Sequence, residues 1–468
     1  MRVAFVLLTA TCACATGETL GPPALDATLD RDLTDASAAP DALRPSDAPP
    51  GDAVATDSTP ADVITAAPLR VVQRDVAITP RGSVRQPSLT HHGGVDAFLT
   101  AYTWVLPATP TPRFRIEARA ITLAADGTPV PGAPFLVDGD DVAHDAGDPT
   151  IAAPPRGDAP ALAVWIDDRS APGTRGSIEL YGRLLRASGG ATPTVMAASD
   201  RIDIAQRPTS EEYLPAVAWD DAARGYVVAW ADDRERGVRH EDARVVYARA
   251  VSPDGTPGPE VRVGDDALFQ TLPTVASCDD GRVLVTWSDY RRDGAAFVIQ
   301  MRGRMLDART AAPMGPIAQW GEARDVPQDR VAVACAADGD GWTVAWMGAG
   351  PPSVRQLRFA RLARDGTLRD GPYGPAAQPD GSRAPTLSRV ATSTQTVITQ
   401  LAQDSYFGYV GALDATARSF PPVTALTPDS PRIGTFWAAS AGSTRRAEAL
   451  VVMTLDYDRL HATSLRAP

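Results

Sequence analysis

From about residue 69 onward the chain alternates apolar and polar positions in short runs separated by turn residues, and helical spacing is almost absent. A period of two places successive side chains on opposite faces of a strand, so this part reads as all-β. The runs also repeat. "ALAVWIDDR" at Ala161, "YVVAWADDR" at Tyr226, "RVLVTWSDYR" at Arg282 and "WTVAWMGAG" at Trp342 share one pattern, with "FLTAYTWVL" at Phe98 a weaker copy. Each is preceded by a short strand that often opens with Pro, such as "PTIAAP" or "PTVASC". Each is followed by an alternating strand that often ends in an Asp-Gly turn, as in "RVVYARAVSPDGT", and then by a fourth strand such as "PGPEVRVGDD".

Four short strands copied at a fixed period are the signature of a β-propeller. The tryptophans that close the second strands, Trp104, Trp165, Trp230, Trp287 and Trp346, fall 61, 65, 57 and 59 residues apart. Two degenerate units, at residues 384–426 and 432–468, complete seven. The last unit is one strand short, while "LRVVQRDVAIT" at residues 69–79 leaves a strand over. Pairing the two predicts a seven-bladed ring of four-stranded antiparallel blades, closed by the N-terminal strand on the last blade, with two edges hidden. A pair of eight-stranded sandwiches is the alternative, but it does not account for a sevenfold repeat.

In a blade whose strands zigzag outward, the loop after the second strand and the loop between blades share one face. That face would carry Asp167, Asp168 and Arg169, then Asp232, Asp233, Arg234 and Arg236, then Asp289, Arg291 and Arg292, as a candidate binding face. Two readings stay open. The carboxylates cap their turns by accepting backbone N–H bonds while the arginines pair with neighbours, or the group contacts a ligand directly. Units one and five have neutral, Pro-rich segments at the same place, and the segments "GDDVAHDAGDP", "RPTSEEY" and "GEARDVPQDR" add carboxylates to that face. The tryptophans themselves are expected in the core between blades.

Composition narrows the chemistry. The net charge is -12, and Lys is absent, which removes Schiff-base amines and the phosphate-loop lysine. Much of the acidity lies in residues 16–67, an Ala-, Asp-, Pro- and Thr-rich stretch too poor in large apolar residues to offset the entropy of ordering. It reads as an extended tether ahead of a domain at residues 68–468. No basic stripe points to nucleic acid.

The start, "MRVAFVLLTATCACATG", puts Arg2 before a short apolar run and small residues, as an export signal at residues 1–15 would. It resembles a bacterial lipoprotein signal, which implies lipidation of Cys12 or Cys14, although Thr11 departs from the usual small-residue box. Plain cleavage after Ala15 is the other reading. Either places the protein outside the cytoplasm, at the outer membrane or cell surface, or secreted or periplasmic, with membrane contact only through the lipid. Cys278 and Cys335 stand at equivalent places in consecutive units, so a disulfide is a candidate alongside two free thiols.

The repeats resemble predicted bacterial lipoproteins built from V-x-W-x-D-x-R and D-G-T units, over about residues 69–468. More distantly they are similar to the extracellular propellers of sialidases, but the S-x-D-x-G-x-T-W box is missing and no Arg triad with Tyr and Glu can be assigned. Catalysis by acidic pairs among Asp232, Glu235, Glu241 and Asp242 is a minor reading. His91, His92, His144, His240 and His461 lack the spacing of a zinc site. No cofactor is required, calcium being the one ion considered, at "AADGDG" (residues 336–341) and "GDDVAHDAGD" (residues 139–148), neither of which has the full twelve-residue loop. The expected function is a binding or scaffold module for a protein or glycan at the cell surface. The alternatives are a glycan-active hydrolase or lyase on the same face and an envelope protein without a specific ligand. Oligomeric state is open.

Overall fold

The computed structural model describes residues 70–80, 82–106, 113–139, 144–169, 178–206, 210–236, 243–265, 269–293, 296–324, 331–350, 354–374, 382–390, 395–402, 408–414, 424–426, 438–455 and 459–466. The export signal with Cys12 and Cys14, and the tether, lie outside them. The architecture is an all-β propeller of four-stranded antiparallel blades, and seven sheets occur among the described residues.

From the innermost strand outward, the first sheet holds Ser83–His92, Ala97–Leu106, Arg113–Leu123 and Pro129–Pro131, with Phe135–Leu136 also paired to Arg113–Leu123. The second holds Ala146–Ala152, Ala161–Asp167, Glu179–Ser188 and Thr194–Ala197, with Ile202–Ala205 also paired to Glu179–Ser188, and the third Glu212–Asp220, Gly225–Asp232, Val245–Val251 and Pro257–Arg262. The fourth consists of Phe269–Ser277, Arg282–Asp293, Ala296–Asp307 and Ala318–Arg324. The fifth consists of Ala332–Cys335, Trp342–Gly350, Val354–Leu362 and Leu368–Tyr373, and the sixth of Ser382–Arg389, Gln395–Ala402, Gly408–Asp414 and Thr424–Ala425. In the seventh, Ala438–Gly442, Glu448–Leu455 and Arg459–Arg466 are followed by Arg70–Ala77, which pairs antiparallel with Arg459–Arg466.

Burial explains why the second strands are the most legible. Each sheet packs both faces on its neighbours, so Ala161–Asp167 and Gly225–Asp232 are buried at every residue. Separate apolar cores lie between successive sheets. Trp165 and Tyr181 pack toward the first sheet, and Trp230 and Tyr247 toward the second. Trp287 packs toward the third sheet, and Trp346 toward the fourth. The same arrangement joins the fifth sheet to the sixth, the sixth to the seventh, and the seventh to Val84, Phe98 and Tyr102 of the first. A large aromatic withdraws about 150–250 Å² from water, so one such tryptophan contributes about 4–6 kcal/mol before entropy is subtracted.

The prolines of the innermost strands also have a physical reason. Pro87, Pro149, Pro215, Pro273 and Pro385 each sit at a register shift in an innermost strand. An innermost strand is an edge with no ladder partner on its axial side, so a missing N–H costs nothing there.

The Asp-Gly-Thr turns join blades as well as strands. Asp365 Oδ1 accepts the Thr367 N–H at 3.0 Å and its hydroxyl at 2.7 Å, and the Gly366 carbonyl accepts Trp320 Nε1–H of the fourth sheet at 3.0 Å. Gly366 has φ +82°, a conformation other residues adopt at a cost. Gly366→Ala is therefore expected to lose about 1–2 kcal/mol of unfolding free energy, read by denaturant titration; an unchanged midpoint would show that the turn relaxes.

Candidate functional site

The starts of the innermost strands, the ends of the second strands and the starts of the third strands share one end of the molecule, as the pairs Glu212 with Asp232 and Asp232 with Val245 require. The Asp and Arg residues singled out in the sequence lie at this end. Their environment differs from an open acidic rim: Asp167, Asp232 and Asp289 are 0% exposed, and Asp168 and Asp233 are also buried.

Each of the first two aspartates closes a knot. Asp167 Oδ2 accepts Trp165 Nε1–H at 3.1 Å, and its Oδ1 accepts the Arg169 N–H at 2.8 Å. The Arg169 guanidinium returns to Asp167 Oδ2, with Nε at 3.0 Å, and lies 5.0 Å from the centroid of the Tyr181 ring. In the third sheet Asp232 takes Trp230 Nε1–H at 3.1 Å and the Arg234 N–H at 2.8 Å, with Arg234 at 3.9 Å over Tyr247. Burial works against the charge of Arg234, but its bonds to Asp232 and Glu260 outweigh that and hold its pKa up. Burial pushes Asp167 and Asp289 above the usual carboxylate range while their arginines pull back. A carboxylate already accepting three or more donors has little left to offer a ligand.

In the fourth sheet Asp289 and Arg291 differ from the expected corner. The hairpin continues through Asp293, with Asp293 paired to Ala296, so both residues lie inside a strand and not in a turn. The cross-strand partner of Trp287 is Arg302, where the second and third sheets have Tyr181 and Tyr247. Arg302 Nη1 reaches Asp289 Oδ2 at 3.0 Å and Asp265 Oδ2 at 2.8 Å, and Arg291 bonds both carboxylates too. The side chain of Arg292 lies outside the description.

Sequence reasoning missed the third-strand arginines that clamp one blade to the last. Arg249 Nη1 donates to the Ile204 carbonyl of the second sheet, and Arg304 Nη1 to the Val263 carbonyl beside the third at 3.2 Å. Both fall two residues after the partner of the strand-closing tryptophan, a spacing visible in "YAR" and "RGR". Between the first and second sheets, Arg115 Nε bonds Asp138 Oδ2 at 2.7 Å, and His144 Nε2 lies 3.3 Å from the same oxygen and 3.5 Å from Asp167 Oδ2. The charges that remain open are shallower: Arg113 and Asp265 are each 38% exposed at the side chain and Arg236 is 37% exposed.

Glu212 is the residue at this end whose chemistry stands apart. It is fully buried opposite Asp232, and desolvation, with Asp232 and Glu179 nearby and Arg234 opposing, pushes its pKa up to about 10. The group is thus protonated at neutral pH in the folded chain. Between its ordinary 4.5 and about 10 the folded state holds a proton that the unfolded state has released, so stability falls as pH rises through that window. The slope contributed is at most about 1.4 kcal/mol per pH unit. Gln270 is the neutral residue at the same step of the fourth sheet, opposite Asp289. Glu212→Gln is expected to flatten the dependence between about pH 5.5 and 8.5 in urea titrations. A slope equal to the parent's would place the ionised form in the folded state.

At the opposite end, Ser443, His91 and Asp96 outline a nucleophile, base and acid. Ser443 Oγ lies 3.4 Å and Asp96 Oδ1 3.3 Å from His91 Nε2. Their bonds assign them to the joint between the seventh and first sheets. Ser443 Oγ accepts the N–H groups of Arg445 and Arg446, and His91 Nδ1 accepts the Thr444 N–H at 3.1 Å. Both Ser443 and His91 are buried, and burial, against the pull of Asp96, holds His91 down to about 4.

Of the two segments considered for calcium, residues 140–143 lie outside the description. In the other, Asp340 pairs with Arg369 at 2.9 Å and Arg364 at 3.8 Å. Cys278 and Cys335 form a disulfide with a Cα separation of 5.0 Å, tying the ends of two innermost strands. His240, Glu241 and Asp242 also lie outside the description, as do residues 325–330.

No protein-family model and no curated protein matches the chain. Among solved structures, it is similar to the K499G mutant of NanB sialidase from Streptococcus pneumoniae at 9% identity and TM-score 0.39, over 86% of this chain and 70% of that one. It is similar to the GH43_1 enzyme from Xanthomonas citri complexed with xylose at 11% identity and TM-score 0.34, over 54% and 87%. An N-acetylgalactosamine deacetylase from F. plautii aligns at 12% identity and TM-score 0.32, over 86% and 95%.

Proposed function

We propose that the chain is an exported, lipid-anchored propeller of seven blades, closed by its first strand, that binds a protein or glycan at the cell surface through its charged end. The observation that carries this is the division of labour among the charges. The deep carboxylates are spent on Trp, Arg and backbone donors within and between blades, while Arg113, Arg236, Arg291 and Asp265 remain partly exposed on a rigid frame. Partly exposed charges already held by ion pairs suit recognition, because little side-chain entropy is lost on binding.

Capture from envelope extract and a glycan array, using the full-length chain and Arg113→Ala/Arg236→Ala, tests this. Loss of capture with an unchanged melting temperature supports the face. Equal capture by both proteins places recognition elsewhere, and no capture at all favours an envelope protein without a specific ligand.

A second reading, a glycan-active hydrolase, draws on Glu212, a carboxylic acid that keeps its proton at neutral pH beside Asp232. A general acid needs such a proton. Hydrolysis of aryl glycosides by the parent chain, lost in Glu212→Gln, would establish that reading.

A further inference from the structure

The knots and clamps leave one group of side chains at the charged end unaccounted for. The guanidinium carbon of Arg244 lies 4.0 Å from the centroid of the Tyr213 ring and 4.6 Å from that of Phe269, and Phe269 meets Tyr290 edge-on at 5.4 Å. Tyr213 and Phe269 stand at the starts of neighbouring innermost strands, and all three rings are only half-buried. Tyr213 and Phe269 thus stand half-open on innermost strands, beside the axis.

Bulges follow on the same two strands. Leu214 and Leu272, each just before its proline, are half-buried and have φ of 52° and 54°. At the same step of the first and second sheets, Gln86 and Asp148 have φ of 49° and 48° and are bonded to each other, Gln86 Nε2 donating to Asp148 Oδ1. Glycine would hold this conformation without strain, whereas these four residues pay for it. Successive innermost strands contact one another from the first sheet to the fourth, so the four positions follow an arc around the axis. One half of the arc is aromatic and aliphatic, and the other is an amide and a carboxylate.

That division matches a sugar ring, which has an apolar C–H face and a hydroxyl-bearing edge. A lipid chain would leave the Gln86–Asp148 pair without use, and a nucleic acid would face an acidic surround. We propose, resting on the binding reading above, that the axial mouth of the first four sheets is a saccharide subsite, with the ring face on Tyr213 and Phe269 and the hydroxyls toward Gln86 and Asp148. A mostly apolar lining with a few placed polar groups is what small-molecule sites require.

The test uses the full-length chain and an array of neutral oligosaccharides ending in pentose, hexose or N-acetylhexosamine, the best of them titrated by calorimetry. Tyr213→Ala and Phe269→Ala should each weaken binding at least about tenfold. Asp148→Asn should weaken it about fivefold, while Tyr213→Phe, which keeps the ring, should stay within about twofold. Should Tyr213→Ala fail to fold, Tyr213→Leu keeps the volume without the ring and must show the same loss. Glycan binding indifferent to these changes overturns the subsite yet leaves the binding module standing. Capture of a protein with no glycan bound does the same, and no ligand of either kind overturns both.

Discussion

Asp232→Ala is expected to lower the unfolding free energy by about 3–5 kcal/mol, the range for removing one partner of a buried ion pair. The change leaves the Arg234 guanidinium without its nearest anion and removes the oxygen that takes Trp230 Nε1–H and the Arg234 N–H. Unmade bonds at a buried site cost more than the bonds themselves contributed. Replacing Arg234 by Ala as well should recover part of the loss, because the guanidinium left with Glu260 as its one anion goes with it, and denaturant titration of the two single variants and the double gives the coupling directly. If Asp232→Ala stays within about 1 kcal/mol of the parent, the aspartate is not structural and its place in a ligand site reopens.

Changing Cys278 and Cys335 together to Ser is expected to cost about 4 kcal/mol, the chain-entropy figure for a loop of this size. The two cysteines are 57 residues apart, so the bond closes one whole repeat and fixes the fourth innermost strand to the fifth. Thermal melts with and without reductant provide the check. Reductant should lower the parent's melting temperature and leave the double variant unmoved; equal melts for the two proteins would mean that the bond adds nothing to the folded state.

Much of this molecule could be read from sequence because its strands are buried on both faces. The "W-x-D-x-R" segments stood out since Trp165 and Trp230 sit in cores between blades and Asp167 and Asp232 tie their indoles to the following backbone. What local pattern could not convey was reach. The bond from Arg249 to the Ile204 carbonyl spans two sheets, and nothing local marks which carbonyl it meets. The Tyr213, Arg244 and Phe269 cluster draws on two innermost strands and the residue before a third strand, so no window of sequence holds it. The extended hairpin at Asp289 was hidden by its own resemblance to the other repeats, since Arg302 replaces a tyrosine only across the strand. Glu212 looked like one of several acids in "RPTSEEY"; only its burial opposite Asp232 sets it apart from Glu211.

The pairing of Arg70–Ala77 with Arg459–Arg466 means that the earliest described strand finds its partner only in the last described one. Loop closure over nearly the whole chain comes late and slowly. Until the two strands meet, each carries an unpaired edge open to pairing with another chain, so the step that completes this sheet also removes a template for aggregation.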